Sequence, residues 1–352
     1  MRDLNSMTLP EMERAVLEMG EPKYRAKQIF EWIQRFGVSQ AEQMTNISKS
    51  LRQKLFQKYD IFACTIEKKL ISEYDDTVKY LFRLHDGSFI ESVLMKYKYG
   101  YTLCVSTQVG CNMGCGFCAS TIFGKERDLT AGEILYQIHA AQQDRQIRIS
   151  HVVLMGMGEP LDNFDNVVRF LDLVSDESGL NIGMRNISLS TCGIVPRMDE
   201  LAQMKYQLTL SVSLHAPNDI IRSQLMPINR RWNIEALLGS CRRYIQETGR
   251  RISFEYAMIR GINDSESCAE ELAARLKGML CHVNLIPVNA VRERRFVKSD
   301  RSTLERFVRI LEHRGINVTV RRSLGSDINA SCGQLRRSHQ EEKEGDMDAN
   351  CS

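Results

Sequence analysis

The sequence predicts an α/β fold in which six strands alternate with amphipathic helices and curl into a partial (β/α)6 barrel. After Gly100, short β-rich runs recur with helical-period stretches between them, a pattern typical of βαβ units and a parallel sheet. Before Gly100 the pattern is first helical and then that of a β-hairpin. We therefore expect an accessory domain at residues 1–97, a core at 98–335 and an acidic tail at 336–352.

The accessory domain is predicted to contain three helices followed by a hairpin. Pro10 begins the first helix, an apolar stripe from Ile29 to Phe36 marks the second, and the third covers residues 48–59. Two β-rich runs flank residues 85–88, where His-Asp-Gly-Ser is a favourable turn. These features predict a helical unit joined to a β-hairpin.

The core is predicted to contain six strands, at residues 102–107, 149–155, 186–191, 208–214, 252–258 and 282–287. Helices are expected between them at residues 130–143, 163–175, 233–248 and 265–277. A last helix at 302–314 and a strand at 316–321 complete the core. In a barrel of this type, functional loops follow the carboxyl ends of the strands.

The composition is that of an ordinary globular protein and excludes wholesale disorder. Of 352 residues, 43% are hydrophobic and 26% charged, and the net charge of +3 is too small to indicate a nucleic-acid partner. No secretory signal and no run of roughly 18 apolar residues is visible, so we expect a cytoplasmic protein with no membrane association. Eleven cysteines in that compartment favour metal binding, catalysis or buried packing over a disulfide scaffold.

Three cysteines directly after the first core strand form the sharpest motif. Cys111, Cys115 and Cys118 lie within eight residues, with glycines between them that allow a tight loop. Soft thiolates at this density select zinc or an iron–sulfur cluster. Three ligands would leave one iron of a four-iron cluster open for catalysis. A structural zinc with a distant fourth ligand, or three packed thiols, are the alternatives, although only Cys115 and Cys118 form a C-x-x-C pair.

The cysteine spacing, followed by alternating strands and helices, resembles the radical S-adenosylmethionine (SAM) superfamily. Six further stretches narrow the resemblance to the RlmN-type dual-specificity RNA methyltransferases, over residues 22–335. They are residues 156–160, 188–191, 213–218, 226–229, 284–289 and 331–335. The resemblance implies methylation of adenine C2 in 23S rRNA and in some tRNAs. Pro160 favours this reaction over that of the related Cfr-type C8 methyltransferases, which have alanine there.

The resemblance also implies cofactors and the residues that bind them. Cys111, Cys115 and Cys118 would hold one [4Fe–4S] cluster whose open iron chelates SAM. SAM would be used twice per turnover, first as a methyl donor and then as the source of a 5′-deoxyadenosyl radical. The residues expected around SAM are Gly158, Glu159, Ser190, Ser213, Leu214, His215 and Asn289.

Three more residues receive catalytic roles from the resemblance. Cys332 would carry a methyl group as a thioether, and Cys104 would later form a transient disulfide with it. Glu91 would accept the C2 proton. A residue on the solvated face of a hairpin is the alternative for Glu91, and a buried apolar thiol is the alternative for Cys332.

RNA contacts are expected from a basic stripe at residues 292–322, where ten Arg or Lys residues face four acids. Lys23, Arg25, Lys27 and Arg35 are weaker candidates. The loop after Asn289 departs from the pattern of many relatives. We expect a monomer that receives electrons from a flavodoxin or ferredoxin. A non-catalytic zinc or iron–sulfur RNA-binding protein is the alternative from another functional class.

Overall fold

The computed structural model describes residues 2–288, 296–322, 324–325, 327–328 and 335. Asn289, Cys332, Arg292, Arg294, Arg295 and the predicted tail lie outside the described residues. Within the described ranges, no helix is both long and apolar enough to cross a membrane.

The accessory region begins with three helices, as predicted. They are α1 (Leu9–Glu18), α2 (Tyr24–Gln34) and α3 (Lys49–Lys58). Thr8 and Glu11 form a capping box at the start of α1, and Ser48 Oγ accepts a hydrogen bond from the Leu51 backbone at the start of α3. The predicted apolar stripe is wrong at one position. Phe36 lies beyond the end of α2 and is exposed, because the helix stops before its side chain reaches the core.

Fourteen strands are present among the described residues. In chain order they are β1 (Arg2–Asp3), β2 (Tyr59–Asp60), β3 (Thr65–Ile71), β4 (Val78–Arg83), β5 (Phe89–Tyr97), β6 (Gly100–Cys104), β7 (Gln108–Gly110), β8 (Lys125–Asp128), β9 (Ile149–Leu154), β10 (Ile187–Thr191), β11 (Thr209–Ser213), β12 (Ile252–Met258), β13 (Cys281–Pro287) and β14 (Val318–Val320). The predicted hairpin is confirmed as the antiparallel pair β4–β5.

Ten strands form one sheet in the order β14-β13-β12-β11-β10-β9-β6-β5-β4-β3. Within this sheet the neighbours from β6 and β9 to β14 pair in parallel, whereas β3, β4, β5 and β6 pair antiparallel. Strands β7 and β8 form a separate antiparallel pair. The six predicted core strands are therefore confirmed. The predicted domain boundary falls in the turn between β5 and β6, inside a continuous sheet.

The core helices are α4 (Ala131–Arg145), α5 (Phe164–Ser175), α6 (Val195–Gln203), α7 (Asp219–Leu225), α8 (Ile234–Thr248), α9 (Glu266–Leu276) and α10 (Arg301–His313). The sequence reasoning missed α6 and α7. Both are short, and Pro196 in the first turn of α6 obscures its periodicity. These two helices follow β10 and β11 and help to position the site.

The chain beyond β14 returns to the accessory strands. The Gly325 amide donates to Asp75 Oδ2 at 2.8 Å, and Ser72 Oγ donates to Asp327 Oδ1 at 2.7 Å. Asp75 and Ser72 lie in the turn between β3 and β4, which form the edge of the sheet opposite β14. The sheet therefore curls until its two ends are joined by this segment.

His139 provides a test of the packing between the accessory helices and α4. Its imidazole is buried beside Gly37, and burial lowers its pKa from 6.5 to about 4. Between these values the unfolded chain binds the proton and the native protein does not, so the unfolding free energy falls as pH falls. We expect His139→Leu to reduce this slope by about 1.4 kcal/mol per pH unit. Urea unfolding between neutral pH and about pH 5 measures it, and identical slopes in both proteins contradict the assignment.

Candidate active site

The cysteine loop is closed at its base by the β7–β8 ribbon. The Cys111 amide donates to the Gly124 carbonyl at 3.1 Å, and the Lys125 amide donates to Asn112 Oδ1 at 2.7 Å. Gly110 has φ +79°, and a Cβ there would collide with the Gly124 carbonyl oxygen. The loop closes because this position has no side chain.

The three thiol groups lie on the loop close enough for their charges to interact when they are ionised. Cys111 and Cys115 are buried and Cys118 is half-buried. Thr121 Oγ1 donates to the carbonyls of Cys115 and Cys118, which folds the segment back on itself. Burial, and to a smaller degree the charge of Cys118, raises the pKa of the Cys111 thiol to about 12. A bound metal must therefore supply the stabilisation of the thiolates.

The side chains available as ligands determine whether the loop suits a single metal ion or a metal cluster. Across the part of the chain that the structure describes, no three His, Cys, Asp or Glu side chains are gathered as ligands of one metal ion. A four-iron cluster is larger than an ion, so thiolates that bind different irons stand farther apart. Three soft sulfurs on one glycine-closed loop suit such a cluster. The residues of the loop therefore fit an iron–sulfur group.

The turn after β9 packs directly on the chain that leads into the cysteine loop. A Cβ at Gly156 would lie 2.6 Å from the Val105 carbonyl oxygen, and Gly158 has φ +107°. The Met157 carbonyl accepts a hydrogen bond from the Thr107 amide at 2.9 Å. Gln108 Oε1 accepts one from the Glu159 amide at 2.8 Å. Glycine is required here because two backbones meet without space for a side chain.

Glu159 is buried and both of its carboxylate oxygens are already engaged. Oε1 accepts from the Leu161 amide at 3.0 Å and Oε2 from the Cys192 amide at 2.7 Å. Burial raises the pKa of Glu159, and these hydrogen bonds oppose that shift. The expected contact with a ligand ammonium would use the remaining lone pairs of the same oxygens.

Strand register gathers the predicted serines on one face of the sheet. Ser190 pairs with Ser211, and Ser213 pairs with Glu255 on the next strand. Glu255 is buried, and its carboxylate accepts hydrogen bonds from Asn284 Nδ2 at 2.8 Å and Ser253 Oγ at 3.2 Å. Burial raises the pKa of Glu255. A row of hydroxyl, carboxylate and amide groups therefore crosses the sheet beside Ser213.

His215 connects this row to the cysteine loop. Its Nδ1 accepts a hydrogen bond from the Ala257 amide at 2.9 Å, which assigns the remaining proton to Nε2. The ring of Phe117 meets the imidazole edge-on, with centroids 4.8 Å apart. Burial, with a contribution from Arg222, lowers the pKa of His215 to about 3. The side chain therefore offers a neutral Nε2–H donor. Leu214, between Ser213 and His215, is buried.

Glu91 and Cys104 lie on neighbouring strands, with Val93 paired to Cys104. Because side chains alternate along a strand, Glu91, Val93 and Cys104 share one face. Glu91 is 2% exposed, so the solvated-hairpin alternative is wrong. Its Oε2 lies 3.1 Å from Nζ of the equally buried Lys79. Ser106 Oγ donates to the Glu91 carbonyl and accepts from the Met157 amide, which ties this strand to the turn after β9.

Sequence reasoning missed three buried charged groups around the site. Lys79 pairs with Glu91, Glu255 lies beside Ser213, and Arg222 on α7 contacts the residues after β10 and β11. Lys79 and Glu255 are charged residues inside apolar strands, and this is a signal that the sequence carries, whereas Glu91 was identified from the resemblance. Arg222 had no signal, because α7 was not predicted.

Three of the seven described Arg and Lys residues of the basic stripe form ion pairs within the protein. Arg306 and Arg314 on α10 pair with Glu266 and Glu270 on α9, and Arg301 pairs with Glu305. Lys23 pairs with Glu13. Solvated ion pairs explain these groups without RNA. Contacts between the stripe and RNA therefore stay a prediction.

Comparison with known proteins finds, over nearly the whole chain, the same superfamily and methyltransferase family that the sequence motifs resemble. Residues 105–272 match the profile of the radical SAM superfamily, and residues 2–61 match that of the ribosomal RNA large subunit methyltransferase N-terminal domain. A probable dual-specificity RNA methyltransferase RlmN from Alkaliphilus oremlandii is 54% identical, over 96% of this chain and 98% of that protein. One from Desulforamulus reducens is 54% identical over 97% and 96%.

A solved structure has the same fold over nearly its entire length. The crystal structure of a radical SAM methyltransferase from Sphaerobacter thermophilus superimposes with a TM-score of 0.91 at 45% identity. The match covers 95% of this chain and 99% of that one.

Gly110→Ala tests whether the closed loop is needed to bind iron. We expect most of the bound iron to be lost after anaerobic reconstitution, because the new Cβ displaces the Gly124 carbonyl at the base of the loop. Gly249→Ala is the matched control, since Gly249 has φ +67° with open space around it and the substitution costs only about 1–2 kcal/mol of backbone strain. Wild-type iron content in Gly110→Ala would show that closure of the loop is not required.

Proposed function

The chain belongs to the RlmN family of radical SAM dual-specificity RNA methyltransferases, and we propose that it methylates C2 of adenine in 23S rRNA and in some tRNAs. The proposed targets are an adenine in the peptidyl-transferase centre and the adenosine 3′ of the anticodon. The observation that carries the proposal is the connected face formed by Glu91, Cys104 and the turn at residues 156–159 beside the cysteine loop.

Membership in the family implies a [4Fe–4S] cluster and SAM, which together supply a radical able to remove hydrogen from a methyl group. In our proposal Cys111, Cys115 and Cys118 hold the cluster. SAM is bound by Gly158, Glu159, Ser190, Ser213, Leu214, His215 and Asn289. The described members lie at the carboxyl ends of three parallel strands, where an α/β fold places its ligands.

The chain's own groups would bind SAM in complementary ways. The Glu159 carboxylate accepts hydrogen bonds, so it suits the ammonium of the methionyl group. The His215 imidazole is neutral and donates from Nε2, so it suits an acceptor. Ser190 and Ser213 can both donate and accept. The Glu159 carboxylate and the His215 ring are held in place by hydrogen bonds from backbone amides of the protein.

Carrying the methyl group on a cysteine thiol overcomes the poor reactivity of adenine C2 towards an electrophilic methyl group. C2 of adenine lies between two ring nitrogens and is electron-poor, so it does not accept an electrophilic methyl group directly. In our proposal the Cys332 thiolate first attacks the methyl carbon of SAM, takes up the methyl group as a thioether and releases S-adenosylhomocysteine. Ile328 precedes Cys332 by four residues, so the Cα atoms of these two residues can be at most about 14 Å apart. Leu324, eight residues before Cys332, packs against the buried side chains that include Cys104.

Glu91 and Cys104 complete the proposed reaction. Once its methyl group has lost a hydrogen atom, the thioether carbon of Cys332 would bond to C2. The adduct would give up its C2 proton to Glu91 and one electron to the bound cluster. The Cys104 thiolate would then attack the sulfur of Cys332 and form a Cys104–Cys332 disulfide, while the electron pair of the broken sulfur–carbon bond stays on the carbon, which takes a proton and becomes the methyl group. Lys79 fixes the Glu91 carboxylate by a buried ion pair. The two groups act from adjacent strands and can reach the same nucleotide.

The partners follow from the proposed reaction. RNA is the substrate, and a flavodoxin or ferredoxin is the proposed source of electrons for the cluster and for reduction of the disulfide. We propose that the protein acts as a monomer in the cytoplasm. Residues 1–97 would serve as the accessory domain and residues 98–335 as the core.

The position of the methyl group on adenine tests the proposal. We expect 2-methyladenosine when the reconstituted enzyme acts anaerobically on a 23S rRNA fragment, followed by nuclease digestion and mass spectrometry against both isomers. Pro160 favours this product over the C8 isomer. Only 8-methyladenosine would establish the Cfr-type reaction instead. Membership in a methyltransferase family sets the non-catalytic alternative aside.

Cys104→Ala tests the release step. We expect the variant to accumulate protein crosslinked to RNA, because no second thiol can open the Cys332 adduct. Denaturing gels and mass spectrometry of the nuclease-treated protein detect it. Cys332→Ala is the control and should form neither adduct nor product. If Cys104→Ala turns over at the wild-type rate without an adduct, another group resolves the intermediate.

A further inference from the structure

Arg222 is a fully buried arginine on α7 that hydrogen bonds only to neutral groups among the described residues. Nε donates to the Leu214 carbonyl at 3.2 Å, and Nη2 donates to the carbonyls of Cys192 and Ser213 at 2.7 and 3.2 Å. Nη1 donates to Asn229 Oδ1 at 3.0 Å. The hydrogen bonds satisfy its donors and leave its charge unbalanced.

Nearby carboxylates do not neutralise this charge. Within the described ranges no Asp or Glu oxygen forms an ion pair with Arg222. Asp219, on the same helix, acts on Arg222 only through space, because its Oδ1 accepts hydrogen bonds from Asn229 Nδ2 and from the Ile234 amide. An isolated buried charge costs several kcal/mol in folding, so a compensating negative charge is expected.

The cysteine loop is the neighbouring element that can supply negative charge. The Leu225 carbonyl at the end of α7 accepts a hydrogen bond from the Gly116 amide at 2.8 Å. Leu225 and Met226 pack with Cys115 and Cys192 in one buried cluster of side chains. Arg222 Nη2 donates to the carbonyl of Cys192, whose side chain packs with Cys115 in this cluster. Helix α7 therefore fixes the guanidinium behind the loop.

We propose that Arg222 is the buried counter-charge of the iron–sulfur cluster and raises its reduction potential. This role rests on the cysteine ligands of the proposed function. Three thiolates outweigh the positive charge of the inorganic core, so the bound group is anionic, and reduction adds a further electron. A fixed positive charge in a low-dielectric site stabilises the reduced state more than the oxidised state. Arg222 is thus a positioning residue for charge and does not contact substrate.

The test is the midpoint potential of the reconstituted cluster, followed by electron paramagnetic resonance in a redox titration. We expect Arg222→Gln to shift the potential to a more negative value and Arg222→Lys to keep most of the wild-type value. Arg243→Gln is the matched control, because Arg243 is an exposed arginine on α8 paired with Asp199. Circular dichroism and iron content establish that each protein is folded and loaded. A folded, fully loaded Arg222→Gln protein with the wild-type potential overturns the proposal.

A second variant covers the case in which Arg222→Gln does not fold. Arg222→Met removes the charge and keeps an unbranched side chain in the same buried site, where an apolar group is better tolerated than an unpaired polar one. We expect a more negative potential again, and an unchanged potential overturns the counter-charge role. If the wild-type protein binds no iron, the cysteine assignment fails instead. The two failures are therefore distinguishable.

Discussion

The close packing of two backbone segments is the constraint on which the site depends. Residues 105–110 lead from β6 into the cysteine loop, and residues 156–159 form the turn after β9. They meet through hydrogen bonds from Thr107 and Glu159, with glycines where a side chain would not fit. This contact fixes the cysteine loop against the proposed SAM-binding turn. The proposed cluster ligands and the proposed SAM-binding residues are therefore both held by rigid parts of the sheet.

The accessory strands take part in the proposed chemistry. They extend the parallel sheet through the pairing of β5 with β6. They contribute Glu91 and Lys79 to the face of the sheet that also carries Cys104. Ser72 and Asp75 in their turn hydrogen bond to the segment after β14. The proposed proton acceptor therefore belongs to the region that binds the returning chain. The continuity of hydrogen bonds between strands explains how residues from both ends of the sequence meet.

Buried charge is unusually abundant near the site. Glu159, Glu255 and Arg222 are all buried, and each is fixed by several hydrogen bonds. Burying such groups costs stability, which is offset only by well-aligned partners. Their orientation before ligand binding reduces the reorganisation needed when SAM and the cluster are in place.

The sequence by itself determined the alternating core strands, the hairpin and the cysteine loop. These features are local, because periodicity, turn residues and close cysteine spacing are written in consecutive residues. Only the tertiary structure decided that Glu91 is buried against Lys79 and that Arg222 is buried against the carbonyls of Cys192 and Leu214. Burial and charge pairing depend on which strands and helices become neighbours. The alternation of side chains along a strand shows which residues share a face, but not whether other parts of the protein cover both faces. Short helices such as α7 contain too few residues to show a helical period.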